Sequence, residues 1–411
     1  MMKKIIVMLS ILSVFAACQN DGPLSLQPQP RKDISLTRSE REIADAGTDF
    51  AFRFFNQVCK TEDKDPNLFV SPLSVSLCLS MITNGAAENT LTEMKAALGF
   101  SNYSLEEMNG YNCKMVSELL GLDNTVSIGI ANSIWIKQGL RVYDSFVDVN
   151  KRMYDARVQE LDFSSPSSKD IINGWCSEET NGCIKEVIRN IPDNVCLYLL
   201  DALYFKGIWK NQFNKSNTVE ELFTNADGSK SDVRMMNMPK KDFEYAENDY
   251  FSMAVLPYGN EAFSMVVLLP SEGKLLEESL SHLNNKNWQE WSQSFRNSKL
   301  DLKFPRFELK YNKDLIKDMC AIGMCDAFDS KNANFSRMSD KDLFISILEQ
   351  YSYLKVDEEG TEAAAITVGG MTDTMLDPGA AVAFYVNHPF AFLIKEKSTG
   401  AILFMGKVTK L

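Results

Sequence analysis

The stretch "VDEEGTEAAAITVGG" (Val356–Gly370) begins acidic, passes through three alanines and ends on two glycines. The residues after it, "MTDTMLDPGAA" (Met371–Ala381), carry no clear periodicity. As a surface helix starting at Thr361 the segment gains from its alanines, with Glu362 in the first turn. Ile366, Thr367, Val368 and the glycine pair then stop it short of two turns, and it has no apolar stripe to dock. As a strand its side chains alternate between faces. If Thr361 faces inward, so do Ala363, Ala365, Thr367 and Gly369, all small or β-branched and uncharged. Glu362 falls on the other face, and Gly360 supplies a backbone pivot. Such a segment is able to be exposed in one state and a buried strand in another. About 15 residues would span roughly 50 Å at about 3.3 Å each.

Downstream lies "HPFAFLIKEKSTGAILFMGKV" (His388–Val408), two apolar runs around the polar turn Lys397–Gly400, which predicts a hairpin. Upstream, "MAVLPYG" (Met253–Gly259) and "FSMVVLLPS" (Phe263–Ser271) read as consecutive strands. "TVSIGIANSIWI" (Thr125–Ile136) and "VCLYLLDALYF" (Val195–Phe205) are nearly free of charge and predict central strands buried on both faces. "NKDLIKDMCAIGM" (Asn312–Met324) reads as a helix. The first third is helical. Ser39 and Glu42 form a capping-box pattern ahead of Phe50, Phe54 and Val58 on one helical face. "SPLSVSLCLSMITNGA" (Ser71–Ala86) has Pro72 suited to a first turn, and "TLTEMKAALGF" (Thr90–Phe100) stops at Gly99. Helices followed by strands, with no Pro/Gly/Ser linker between them, predict one α+β domain over residues 39–411.

The 411 residues carry a formal net charge of −12 without basic runs, which argues against a nucleic-acid partner. Only His282 and His388 are available for a Ser–His–Asp or Cys–His site. His282 sits in a polar surface segment and His388 just before a strand. There is no G-x-S-x-G, Walker, H-E-x-x-H or G-x-G-x-x-G motif. No enzymatic activity and no cofactor are therefore expected. The closest cysteine spacings, Cys176–Cys183 and Cys320–Cys325, are not C-x-x-C pairs, so buried thiols are expected rather than a metal site. An oxidising compartment permits disulfides, but spacing alone does not pair them.

Residues 1–17 read as a signal peptide, two lysines followed by an apolar run. "FAAC" ending at Cys18 resembles a bacterial lipobox, which implies an acylated Cys18, export, and a flexible tether over residues 18–38. Gln19 in place of Asp favours the outer membrane or cell surface of a Gram-negative bacterium.

"NLFVSPLSVSLCLSMITNGA" (Asn67–Ala86), "DALYFKGIWKNQF" (Asp201–Phe213), "EEGTEAAA" (Glu358–Ala365) and the C-terminal hairpin together, in this order, resemble the serpin family from about residue 39 to Leu411. The resemblance implies three β-sheets, about nine helices and an exposed reactive-centre loop from Glu358 to about residue 380. It implies a monomeric suicide-substrate inhibitor of serine endopeptidases, with cysteine endopeptidases as the alternative. A protease cuts the loop, the freed segment joins the main sheet, and the acyl-enzyme is carried off and deformed. The hinge would comprise Glu358, Gly360, Thr361, Ala363, Ala364, Ala365 and Thr367. The seventeenth residue counted from Glu358 is Thr374, so the reactive bond would be Thr374–Met375, with Met375–Leu376 as its neighbour and Met371 as a weaker alternative. No Lys or Arg lies there, which points to elastase-, subtilisin- or chymotrypsin-like targets. Ser71, Ser74, Asp201 and Gln350 would form the shutter, Asp201 and Gln350 replacing the family's usual Asn and His. Trp209, Arg306 and Glu358 would form the breach. The alternative is a serpin-fold binding or carrier lipoprotein that does not inhibit; "GTEAAAIT" lacks the proline or bulky charge that such hinges often carry.

Overall fold

Thr37, not Ser39, starts the first helix. In the computed structural model, which describes residues 29–62, 66–193, 195–361 and 381–411 and only the backbone of Asp201 and Ala202, the Thr37 hydroxyl accepts from the Glu40 amide and the Glu40 carboxylate accepts from the Thr37 amide. Two overlapping T/S-x-x-E patterns compete here. The earlier one prevails because Ile34 and Leu36 are buried and hold the incoming chain against the body. Ile34 donates its amide to Ser398, Lys114 reaches the Ser35 carbonyl, and Gln29 pairs with Asn124. Residues 29–38, expected as tether, therefore belong to the packed domain. The signal sequence and Cys18 lie outside the described residues.

Nine α-helices occur among the described residues: α1 (Arg38–Thr61), α2 (Pro72–Thr83), α3 (Glu88–Ala97), α4 (Leu105–Leu119), α5 (Asp144–Tyr154), α6 (Pro166–Glu179), α7 (Leu276–Leu280), α8 (Asn285–Ser292) and α9 (Ile316–Ala321). The strands are β1 (Leu68–Val70), β2 (Val126–Lys137), β3 (Arg157–Leu161), β4 (Leu197–Ile208), β5 (Val219–Thr224), β6 (Lys230–Glu247), β7 (Phe251–Pro257), β8 (Phe263–Pro270), β9 (Arg296–Pro305), β10 (Phe307–Asp314), β11 (Glu349–Val356), β12 (Gly360–Thr361), β13 (Val382–Tyr385), β14 (Phe390–Glu396) and β15 (Ile402–Val408). The helix expected from Asn312 starts later. Asn312 to Asp314 belong to β10, whose alternation buries Phe307, Leu309 and Tyr311.

One sheet runs β10-β11-β12-β4-β2-β3; the other runs β1-β15-β14-β8-β7-β6-β9-β13, with β5 also on β6. The register of β6 against β9 shifts between Met238 and Lys241. β6 and β9 pair on both sides of that bulge, so the described strands form two sheets where three were expected, while the α+β class stands. The main core lies between the two sheets and includes α2, buried on nearly every face. A second cluster lies on the outer face of the six-stranded sheet, where Trp175 of α6 packs on Trp135 with Tyr198, Leu200 and Tyr351 nearby. Inner and outer positions alternate strictly along β4 and β11, as the pleat requires. Leu203, Phe205, Leu354 and Val356 face the main core; Tyr198, Leu200 and Tyr351 face α6.

Cys320 and Cys325, expected as thiols, form a disulfide. After α9 the chain doubles back through Gly323 (φ 109°), which brings the two Cα atoms within 4.4 Å.

Candidate functional site

The six-stranded sheet is joined at its centre by two residues. After β11 the chain turns tightly through Asp357–Glu359, with the Asp357 amide donating to the Gly360 carbonyl (3.0 Å) and the Glu359 amide to the Asp357 carboxylate (3.0 Å). It then re-enters the sheet as β12. Thr361 pairs with Val356 on one side and Gly207 on the other, antiparallel to both. Among the described residues β4 and β11 pair with β12 and not with each other. Gly360 is required here. Its φ is 157°, and a Cβ would stand 1.9 Å from the Gly207 carbonyl oxygen.

Thr361 is fully buried, and its hydroxyl bonds the Tyr258 hydroxyl at 2.6 Å. Tyr258 stacks on Trp209 with ring centroids 4.4 Å apart and meets Phe205 edge-on at 5.0 Å. Trp209 in turn grips the hinge backbone. Its amide donates to the Glu359 carbonyl and its indole N–H to the Asp357 carbonyl, both at 2.9 Å. The Phe213 amide donates to the Glu358 carbonyl.

Glu358, expected at the start of an exposed loop, is buried. Its carboxylate is tolerated because its acceptors are satisfied. Arg306 Nη2 reaches Oε1 at 2.6 Å and Oε2 at 2.5 Å, and the Thr218 hydroxyl donates to Oε1. Glu359 pairs with Lys215. Burial pushes the Glu358 carboxyl up, but the bonds from Arg306 and Thr218 outweigh it and hold it below the ordinary value of 4.5. A depressed carboxyl stabilises the clamp fully above the unfolded value and loses that contribution as pH falls through the folded one. Trp209 fluorescence should therefore be constant from pH 7 to about 5 and change below about 4.5. Glu358→Gln should remove that acid transition; an unchanged transition would place it on another group.

At the other end of the expected opening, Gln350 lies over the start of α2. Its side-chain oxygen accepts from the Ser71 amide (3.0 Å) and its NH2 donates to the Ser71 carbonyl (2.9 Å). An amide side chain carries both a donor and an acceptor, so it satisfies the N–H and the C=O of one residue together. The Ser71 hydroxyl caps α2 by accepting from the Ser74 amide and donates to the Leu403 carbonyl. Ser71, Ser74 and Gln350 are thus brought together. The Asp201 side chain, Ala363, Ala364, Ala365, Thr367, Met371, Thr374, Met375 and Leu376 lie outside what is described. Thr218, Lys215, Tyr258 and Gly207 were not anticipated. Gly207 could have been: a glycine within an aromatic strand marks a close approach, here of Tyr258.

Neither histidine is arranged for catalysis. His282 stacks on Tyr250 at 3.8 Å, and burial pushes the His388 pKa down. No group of three His, Cys, Asp or Glu among the described residues could hold a metal ion.

A family model described as Serpin (serine protease inhibitor) matches residues 45–411. Serpin B6 of Macaca fascicularis is 32% identical over 374 residues, which is 89% of this chain and 98% of that protein. Among solved structures, the thermophilic serpin tengpin in its native state aligns with a TM-score of 0.83 at 28% identity, covering 94% of this chain and 98% of tengpin. Human thyroxine-binding globulin in complex with its hormone aligns at 0.82 and 26% identity, covering 90% and 99%.

Proposed function

The chain belongs to the serpin family, whose members are in general serine protease inhibitors and not enzymes, and from that premise we propose that it is a suicide-substrate inhibitor of proteases with small or medium apolar specificity. One observation carries the reading: Thr361 already sits between β11 and β4. After cleavage, each further residue would step one place down both neighbours. Ala363 would then oppose Leu354 and Phe205, Ala365 would oppose Ser352 and Leu203, and Thr367 would oppose Gln350 and Asp201. These inner positions face the packed core, and each incoming side chain is small. On the outer face Glu362 would lie between Lys355 and Lys206, an arrangement of opposite charges on adjacent strands. Ala364 would lie between Tyr353 and Tyr204, and Ile366 and Val368 would reach the apolar cluster under α6.

Thyroxine-binding globulin shows that this fold also serves hormone binding. The uncharged, proline-free inner row favours inhibition here. Incubation with pancreatic elastase, subtilisin and chymotrypsin separates the two. Inhibition yields a boiling-resistant band at the summed mass, and mass spectrometry of the released C-terminal peptide should begin it at Met375 or Leu376. Loop cleavage without the band would favour the binding reading. The N-terminal pattern supports export and acylation at Cys18, with the monomeric domain held at the outer membrane or cell surface.

A further inference from the structure

At the foot of the six-stranded sheet, beneath the start of β4, is a cavity of ≈ 70 Å³. Cys78 and Ile82 of α2, Leu197 and Leu199 of β4, and Phe335 and Met338 line it. The rest of the lining is Cys196 and residues 342–348, apolar apart from Asp342 and Ser346. We propose that this cavity is the seat of Met371, and that Met371 anchors the lower end of the inserted strand. The proposal rests on the insertion reading above and adds to it a residue and a receptacle.

The register leads there. Thr361 opposes Gly207, so Met371, ten residues on, opposes Leu197, the first residue of β4. On the other side the same step from Val356 ends at Ser346, which also lines the cavity. The eleven residues from 361 to 371 therefore match the eleven from 207 to 197 one to one, and the β4 edge ends where the cavity lies. Ten is an even number of steps, so Met371 shares the inner face with Thr361, the side on which Cys78 and Ile82 stand. Above it the inner row is Ala363, Ala365, Thr367 and Gly369. Met371 is the first large apolar side chain in that row. An unbranched thioether adapts to an irregular hole, and Phe335 offers it an aromatic neighbour. This chain's own loop is favoured as occupant over a second copy, because it continues a ladder that β12 has already begun.

The test compares nicked forms, cut at Thr374–Met375 or Met375–Leu376, of wild type, Met371→Ala and Thr372→Ala. Thr372 has the opposite parity and serves as control. Nicked wild type should melt well above its intact form. Met371→Ala should lose about 5 °C of that gain, and Thr372→Ala about none, while the intact forms melt alike. Peptide-resolved alkylation with iodoacetamide gives an independent readout at Cys196, a half-buried thiol on the cavity wall. Nicking should protect it about tenfold in wild type, and Met371→Ala should remove that protection. Equal melting of the two nicked variants would overturn the assignment while leaving insertion intact. Protection that depends on protein concentration would give the cavity to a second copy and overturn it as well. A nicked wild type with no gain in melting temperature would instead defeat the insertion reading.

Discussion

Replacing Thr361 by Arg is expected to turn the protein from an inhibitor into a substrate. The Thr361 site is fully buried beneath Tyr258 and Trp209, flanked by backbone on both sides. A guanidinium there would have the Tyr258 hydroxyl beside it but no carboxylate partner. Because Thr361 is already inserted in the intact protein, the substituted side chain would first drive β12 out of the sheet, and its re-entry after cleavage would carry a desolvation cost of about 3 kcal/mol and slow strand entry roughly a hundredfold. Hydrolysis of the acyl-enzyme then finishes first. The measurement is the ratio of boiling-resistant complex to cleaved protein at equal amounts of inhibitor and elastase. Complex should dominate for wild type and nearly vanish for Thr361→Arg. Glu362→Gln, one residue on but facing the other way, should keep the complex. Equal loss in both variants would mean that the faces are not distinguished and that the register is wrong.

Gln350→Leu should lower the stability of the intact protein by about 2–3 kcal/mol. The side chain is nearly conserved in volume, so little cavity is made. What is lost is both bonds to the Ser71 backbone, its N–H and its C=O, at the cap of α2. The Ser71 amide is left without its acceptor, and a buried unpaired donor carries its full desolvation cost. Urea unfolding of the intact form reads this directly. The hinge clamp is independent of it, so the acid transition of Glu358 should be unchanged. A loss below about 0.5 kcal/mol would mean that the amide is not what secures α2 to the sheet.

Much of this architecture was legible because local patterns and global packing agree. The hairpin of β14 and β15 follows from two apolar runs around Lys397–Gly400. The helix α2 follows from Pro72 and the Ser71 cap, and β2 and β4 from runs without charge. Alternation in "GTEAAAIT" put Thr361 on the inner face, where it lies; the residues after it fall outside those described. Trp209, Arg306 and Glu358 were grouped only through the family resemblance, and the other hinge contacts were not legible, because they depend on distant parts of the chain. Thr218 meets Glu358 from 140 residues away and Tyr258 meets Thr361 from 103. Thr218 and Lys215 sit in a polar loop that nothing distinguishes locally. Glu358 was assigned both to the start of the exposed loop and to the breach through the family resemblance, and the bonds from Arg306 and Thr218 make its burial tolerable. The start of α1 was misplaced by two residues because two capping boxes overlap, and burial of Ile34 and Leu36 decides between them.

Underlying all of this is the claim that the intact fold stores free energy which the cut loop releases. The most direct test is to nick the loop with a catalytic amount of subtilisin, remove the protease, and melt both forms under the same conditions. A new central strand adds on the order of ten ladder hydrogen bonds, so the nicked form should melt about 10–20 °C higher. Melting of the nicked and intact forms at one temperature would contradict the account.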